Sequence, residues 1–239
     1  MSTFICGDIH GANKALVQCL ERCGFNNDED TLISLGDICD GWSEVYECVE
    51  TLLGIKNLIA IRGNHDQWFY EFIRTGIHGS QWNQGADATR NSYGKRSMII
   101  PESHERFFGT QMNYYIDDQN RCFVHGGYNR HELINEQHYP YIYYWDRDLF
   151  MQAISYERTI DDMKNKYKFK DKNNFKEIFI GHTTTTTWGS NVPLHAANIW
   201  NLDTGGGFEG KVTIMNIDTH KFWQSDLCKT LYPNERGRN

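Results

Sequence analysis

Along the first third of the chain, apolar residues fall into blocks with two different periods. Residues 3–6 form a short apolar run that ends at Gly7-Asp8. Residues 12–24 then place Ala15, Leu16, Cys19, Leu20 and Cys23 on one helical face, with Gly24 as a stop signal. Residues 31–35 repeat the strand pattern and end at Gly36-Asp37. Residues 45–53 read as a helix and 58–61 as a third strand, followed at once by Gly63-Asn64-His65-Asp66. This alternation predicts a parallel sheet, in which functional groups gather at the carboxyl ends of strands. One Gly-Asp pair is an ordinary turn dipeptide. Three polar, glycine-flanked motifs in phase with three strand ends are more than turns require.

The rest of the chain is less regular. Residues 76–95 are rich in Gly, Asn, Gln and Ser and read as a long loop, a kind of segment that is functional or disordered in compact domains. A short helix is expected at 101–109, a hairpin from 112–116 and 122–124 across polar 117–121, and a helix at 145–158. Residues 161–177 are dominated by charge and Asn and read as a solvated surface segment. Strands are expected at 177–180, 199–202, 211–217 and 222–224. No repeat or linker divides the chain, so one domain over 1–239 is expected, with a lid or cap at about 76–110.

Composition narrows the classes. A net charge of −7 provides no basic field for nucleic acid, although bound cations can reverse the field locally for a small phosphorylated substrate. No apolar run approaches the roughly 20 residues that span a bilayer, and Met1 leads directly into the first strand with no signal-like segment. The seven cysteines form no Cys-x-x-Cys pair and read as buried thiols of a reducing, cytoplasmic setting.

The polar residues at strand ends are Asp8, His10, Asp37, Asp40, Asn64, His65, His125 and His182. Carboxylates and imidazoles together suit divalent first-row ions such as manganese, iron or zinc. Two such ions about 3.5–4 Å apart need a shared anionic ligand and can clamp the attacking and leaving oxygens of a displacement at phosphorus. Asp37, on the central motif, is the natural bridge.

Gly7-Asp8-Ile9-His10-Gly11, Gly36-Asp37-Ile38-Cys39-Asp40-Gly41, Gly63-Asn64-His65-Asp66, His125-Gly126-Gly127 and Gly181-His182-Thr183 resemble, in order, the motifs of the calcineurin-like metallophosphoesterases. Among these, the chain resembles the small bacterial and phage serine/threonine phosphatases. The resemblance implies an α/β fold, a β-sandwich of two mixed sheets flanked by helices, with a dimetal site at the strand ends. It implies that Asp8, His10 and Asp37 hold one ion, and that Asp37, Asn64, His125 and His182 hold the other. Manganese is the expected ion, with iron, zinc or nickel as alternatives. The resemblance further implies that hydroxide generated at the ions would attack phosphorus directly, that His65 would protonate the leaving alkoxide, and that Asp40 would orient His65. Asn64 also faces the substrate phosphate. Trp145-Asp146-Arg147 resembles the segment that supplies a phosphate-binding arginine, which nominates Arg147.

One departure weighs on substrate. The related phosphatases carry Asp-Arg-Gly where this chain has Asp40-Gly41-Trp42, so a second arginine is missing, with Arg62, Arg90 and Arg130 as candidate substitutes. Asp66 stands where Glu is commoner and points to a bacterial branch. The expected substrate is a phosphorylated protein or a small phosphate monoester. A symmetrical dinucleoside tetraphosphate hydrolase and a phosphodiesterase are the alternatives, and a non-catalytic binding module is a third. His78, His104, His131, His138, His195 and His220 fall outside the motifs and read as structural, with His195 the best exception because residues 181–195 could loop over the site. Residues 183–187 read as a β-rich loop with Thr183 facing the site, and the aromatic run 139–145 as core packing.

Overall fold

The computed structural model describes residues 1–159 and 169–238, within which the short apolar runs become two five-stranded sheets. In chain order the elements are β1 (Thr3–Cys6), α1 (Asn13–Cys23), β2 (Thr31–Ser34), α2 (Val45–Leu53), β3 (Asn57–Ala60), α3 (Asn64–Thr75), α4 (Ala86–Gly94) and α5 (Glu102–Thr110). Then come β4 (Tyr114–Ile116), β5 (Arg121–Val124), α6 (Ile142–Trp145), α7 (Asp148–Thr159), β6 (Glu177–Ile180), β7 (Leu194–Ala196), β8 (Ile199–Asn201), β9 (Thr213–Asn216), β10 (Phe222–Gln224) and α8 (Cys228–Leu231). The first sheet has the order β10-β9-β1-β2-β3, with β1, β2 and β3 parallel and β9 antiparallel to β1. The second has the order β4-β5-β6-β8-β7, with β5, β6 and β8 parallel.

These strands are apolar on both faces, and their period-2 alternation sorts the side chains into three cores. Ile5, Ile33, Phe123, Phe179 and Met215 point between the sheets and form one core there. Their strand neighbours Phe4, Cys6, Leu32 and Ile214 face outward and pack with Leu16, Val49 and Phe69 of α1, α2 and α3. On the far side, Cys122, Val124, Ile178 and Ile180 pack with Leu149, Phe150 and Ala153 of α7. The layers are therefore helix, sheet, sheet, helix, and the parallel strands β1–β3 and β5–β6 deliver their carboxyl ends to a common edge.

Several expectations need correction. The stretch 76–95 is not one long loop, because α4 occupies Ala86–Gly94 and buries Thr89, Ser92 and Tyr93 through polar contacts that amphipathy alone does not reveal. α3 is a full helix directly after the third strand, its Phe69 buried and Trp68, Phe72 and Ile73 half-buried against the same core. The helix expected at 145–158 is α7, which begins only at Asp148, because Asp146 adopts extended backbone after a separate short helix, α6, that ends at Trp145. β7 was not anticipated. Of the charged stretch 161–177, residues 161–168 lie outside the described residues. Its remainder is not plain surface: Phe175 is buried, and the buried Asp171 carboxylate accepts the Tyr128 hydroxyl at 2.5 Å.

Candidate active site

Three of the five strand-end motifs turn polar residues inward by adopting backbone that L-residues disfavour. His10, Asp37, Asp40 and His182 all have left-handed φ values, between 50° and 67°. Such residues cost about 1–3 kcal/mol each unless their surroundings over-determine them, and they concentrate at functional sites. Two glycines make room for the carboxylates. A Cβ on Gly63 would stand 2.1 Å from Asp37 Oδ1, and one on Gly181 would stand 2.1 Å from Asp8 Oδ1.

The result is a buried cluster. Oxygens and ring nitrogens of Asp8, His10 and Asp37 converge within 4.8 Å of one another, and so do those of Asp37, His125 and His182. Asp37 belongs to both groups, and its Oδ2 lies 3.4 Å from His10 Nε2 and 3.4 Å from His125 Nε2. Asn64 Oδ1 sits 3.2 Å from His125 Nε2 and 3.0 Å from His182 Nδ1, which adds a neutral oxygen to the second group. Backbone carbonyls set the ring orientations: His10 Nδ1 donates to Cys39 O at 2.8 Å and His125 Nδ1 to Leu35 O at 2.8 Å, leaving each Nε2 facing the cluster. Asp37 Oδ2 and His182 Nε2 are buried without a hydrogen-bond partner. Buried acceptors aimed at a common centre are what a divalent cation requires, so the residues fit the ions.

The titration behaviour follows from the crowding. Burial, and next the Asp203 carboxylate, push Asp8 well above the usual carboxylate range. Burial also opposes ionisation of Asp37, yet His125, His65 and His10 outweigh it and hold Asp37 well below that range. Burial works against a proton on His125, but the Asp37 and Asp8 carboxylates raise the ring to about 9. His10 and His182 are pushed down, first by burial and then by Arg238 and His125 respectively.

Beside the cluster, His65 occupies the first turn of α3, where helix N–H groups point at the site. Its own N–H donates to Asp37 Oδ1 at 3.0 Å. Its Nδ1 meets Asp40 Oδ2 at 2.6 Å, while its Nε2 is buried and has no partner. Asp40 is itself held: Trp82 Nε1 donates to Oδ2 at 2.8 Å and the Thr89 hydroxyl to Oδ1 at 2.5 Å. Asp66 clamps the preceding turn, its Oδ1 accepting from Ile38 N and Cys39 N at 2.8 and 3.1 Å, and Gln111 donates to its Oδ2. Sequence reasoning missed Trp82, Thr89 and Gln111, since no local pattern links them to the motifs they support.

Arg147 lies just after α6 and donates to Thr183 Oγ1 at 3.0 Å, next to His182. Of the candidate substitutes for an arginine at 41, Arg62 donates to Gln67 and to Phe108 O, and Arg130 donates to Gln152 and Lys170 O. Arg90 pairs with Asp87 and lines a cleft of about 410 Å³ that also includes Gly41 and Trp82. A different arginine reaches the cluster: Arg238 Nη1 is 3.3 Å from His10 Nε2. His195 is exposed on β7, its ring 4.4 Å from that of Trp200, and residues 185–188 form a single 3₁₀ turn. All seven thiols are free, and none joins the ligand groups.

Three comparisons bear on this geometry. The sequence profile of the family described as calcineurin-like phosphoesterase matches residues 1–203. Serine/threonine-protein phosphatase 1 of Salmonella typhimurium is 26% identical over 218 residues, which cover 90% of this chain and 91% of the relative. The symmetrical bis(5'-nucleosyl)-tetraphosphatase of Neisseria meningitidis is 24% identical, over 94% and 95% of the two chains. Among solved structures, a protein serine/threonine phosphatase from Saccharomyces cerevisiae superposes with a TM-score of 0.57 at 16% identity, over 95% of this chain and 80% of that one.

Proposed function

This chain belongs to the calcineurin-like phosphoesterases, metal-dependent hydrolases, and on that footing we propose that it is a phosphomonoesterase of the serine/threonine phosphatase type. The observation that carries the reading is the sharing of Asp37 between two ligand groups beside a histidine whose Nε2 is free. In this reading Asp8, His10 and Asp37 hold one divalent ion, and Asp37, Asn64, His125 and His182 the other. Bound there, the ions supply Lewis acidity and lower the pKa of water at the site. Manganese is the ion we expect.

The protein's own residues do the rest. His65 is positioned to give a proton from Nε2 to the leaving oxygen, because Asp40 on Nδ1 fixes the orientation of the ring and leaves Nε2 without a partner. Arg147, tethered through Thr183, is placed to bind phosphate oxygens on the His182 side, together with Asn64. The ligands come from both halves of the chain, which supports one catalytic domain over 1–239 with 76–110 as its cap. Trp82 and Thr89 give that cap a second task, since it also fixes Asp40.

One feature favours a second reading, a symmetrical dinucleoside tetraphosphatase. Trp68, Trp82, Tyr141 and Trp145 line a cleft of about 320 Å³ next to Asn64, a surface on which a base could stack. The deciding experiment is phosphate release by metal-stripped protein with and without Mn²⁺, first from p-nitrophenyl phosphate and then from phosphopeptides and dinucleoside tetraphosphates. Monoester turnover that appears only with metal and extends to phosphopeptides supports the first reading. Turnover of the dinucleotide alone would transfer it to the second.

A further inference from the structure

A cation enters the cluster from a segment that carries none of the motifs. Residues 228–238 lie across the face formed by the first two motifs and are fixed there at several points. Tyr232 stacks on Trp42 with ring centroids 5.1 Å apart, and its hydroxyl donates to Glu44. Ser43 donates to Glu235 through both its N–H and its hydroxyl, at 2.9 and 2.8 Å, and Arg238 N donates to Gly207 O at 2.8 Å.

The side chain of Arg238 then runs through a gap that two glycines leave open. Its Cδ is 2.8 Å from where a Cβ on Gly207 would stand, and its Cγ is 3.3 Å from where a Cβ on Gly41 would stand. The arginine stem thus passes within contact distance of the space where a side chain at position 41 would begin. At its tip, Nη2 donates to Gln84 Oε1 at 2.9 Å, the guanidinium lies 5.1 Å from the Phe208 ring centroid, and Nη1 faces His10. Nε is buried without a partner. Among the described residues no carboxylate forms an ion pair with Arg238, and it lines the same cleft as Arg90 and Gly41. A guanidinium has five donors. One anchored donor, an orphaned Nε and a long contact to an imidazole leave most of that capacity unspent beside a site for anions.

We propose that Arg238 is a second phosphate-binding arginine, acting on the His10 side of the cluster as Arg147 acts on the His182 side. It supplies from the distal segment the guanidinium that Gly41 cannot, and so biases the site toward phosphomonoesters over diesters. The inference rests on the monoesterase reading above. A monoester dianion presents more charge to a guanidinium than a diester monoanion, so loss of Arg238 must weaken the first more than the second. An arginine serving only to pin the segment would affect both alike.

The test uses the full chain loaded with Mn²⁺, as wild type, Arg238→Ala and Arg238→Lys. Inorganic phosphate titrated calorimetrically should bind about tenfold to a hundredfold more weakly to Arg238→Ala, the loss expected for a charged hydrogen bond, with the metal content unchanged. Arg238→Lys, which keeps the charge without the fork, should fall between the two. The ratio of kcat/KM for p-nitrophenyl phosphate to that for bis(p-nitrophenyl) phosphate should drop with it. Unchanged phosphate affinity in Arg238→Ala, or an equal fall for both esters, would overturn the proposal. Absence of metal-dependent turnover in the wild type would instead overturn the monoesterase reading, while the phosphate titration would still report on Arg238.

Discussion

Asp37 gives its two oxygens different tasks: Oδ1 takes the His65 N–H at 3.0 Å, while Oδ2 is buried, unpartnered and equidistant from two imidazole nitrogens. We predict that Asp37→Asn, which preserves shape but removes the shared charge, abolishes metal-dependent turnover while the chain still folds. Metal content and a thermal melt check this, and a fully active, metal-replete variant would refute the bridging role. His65 has the opposite profile, since it touches the substrate rather than the ions in the proposed mechanism. His65→Asn should keep its metal and lose about 10²–10⁴ in rate, most for poor leaving groups and least for p-nitrophenol; a metal-free product would contradict the assignment. The positions of these residues were readable from sequence because each belongs to a glycine-flanked polar motif that follows a strand end. Arg238 was not, because 197 positions separate it from Gly41 and no periodicity connects them.

At the scale of elements, the stretch from Gly76 to α4 braces the site. Trp82 and Thr89 together saturate the Asp40 carboxylate, so their hydrogen bonds set how firmly His65 is held. Trp82→Phe removes one donor while keeping an aromatic ring against Phe69 and Phe72. We predict that kcat falls by about tenfold, and that the same change made on His65→Asn has almost no further effect, since the donor acts only through that ring. Independent, additive losses would show that Trp82 contributes by packing. This also explains why α4 escaped the sequence reading. Its stability comes from Thr89 to Asp40, from Ser92 accepting Tyr46 N–H at 3.0 Å, and from the 2.8 Å contact of Tyr93 with His104, all of them tertiary. The strands that lead into the site, β1, β2, β3, β5 and β6, by contrast, carry their own signal as short apolar runs that end at glycine-flanked polar motifs.

For the molecule as a whole, the combined ligand set straddles the sandwich. Asp8 and Asp37 follow β1 and β2 of one sheet, whereas His125 and His182 follow β5 and β6 of the other. An ion in the group of Asp37, His125 and His182 would be held by both sheets and resist their separation, so the unfolding midpoint should rise with metal. At a hundredfold excess over Kd the gain is about 2.7 kcal/mol per site, or roughly 5–10 °C for a chain of this size. Calorimetry with and without a chelator measures it, and the shift should vanish in Asp37→Asn. The left-handed backbone at His10, Asp37, Asp40 and His182 carries a further consequence, for evolution under artificial selection. Glycine adopts that conformation at no steric cost, and proteins commonly trade stability for activity at strained sites. A library screened for heat tolerance alone should therefore enrich glycine at positions 10, 37 and 182, though not at 40, whose carboxylate satisfies three buried partners, whereas one screened for turnover should never do so. Sequencing both sets of survivors would let the difference between them draw the outline of the active site, with no substrate yet in hand.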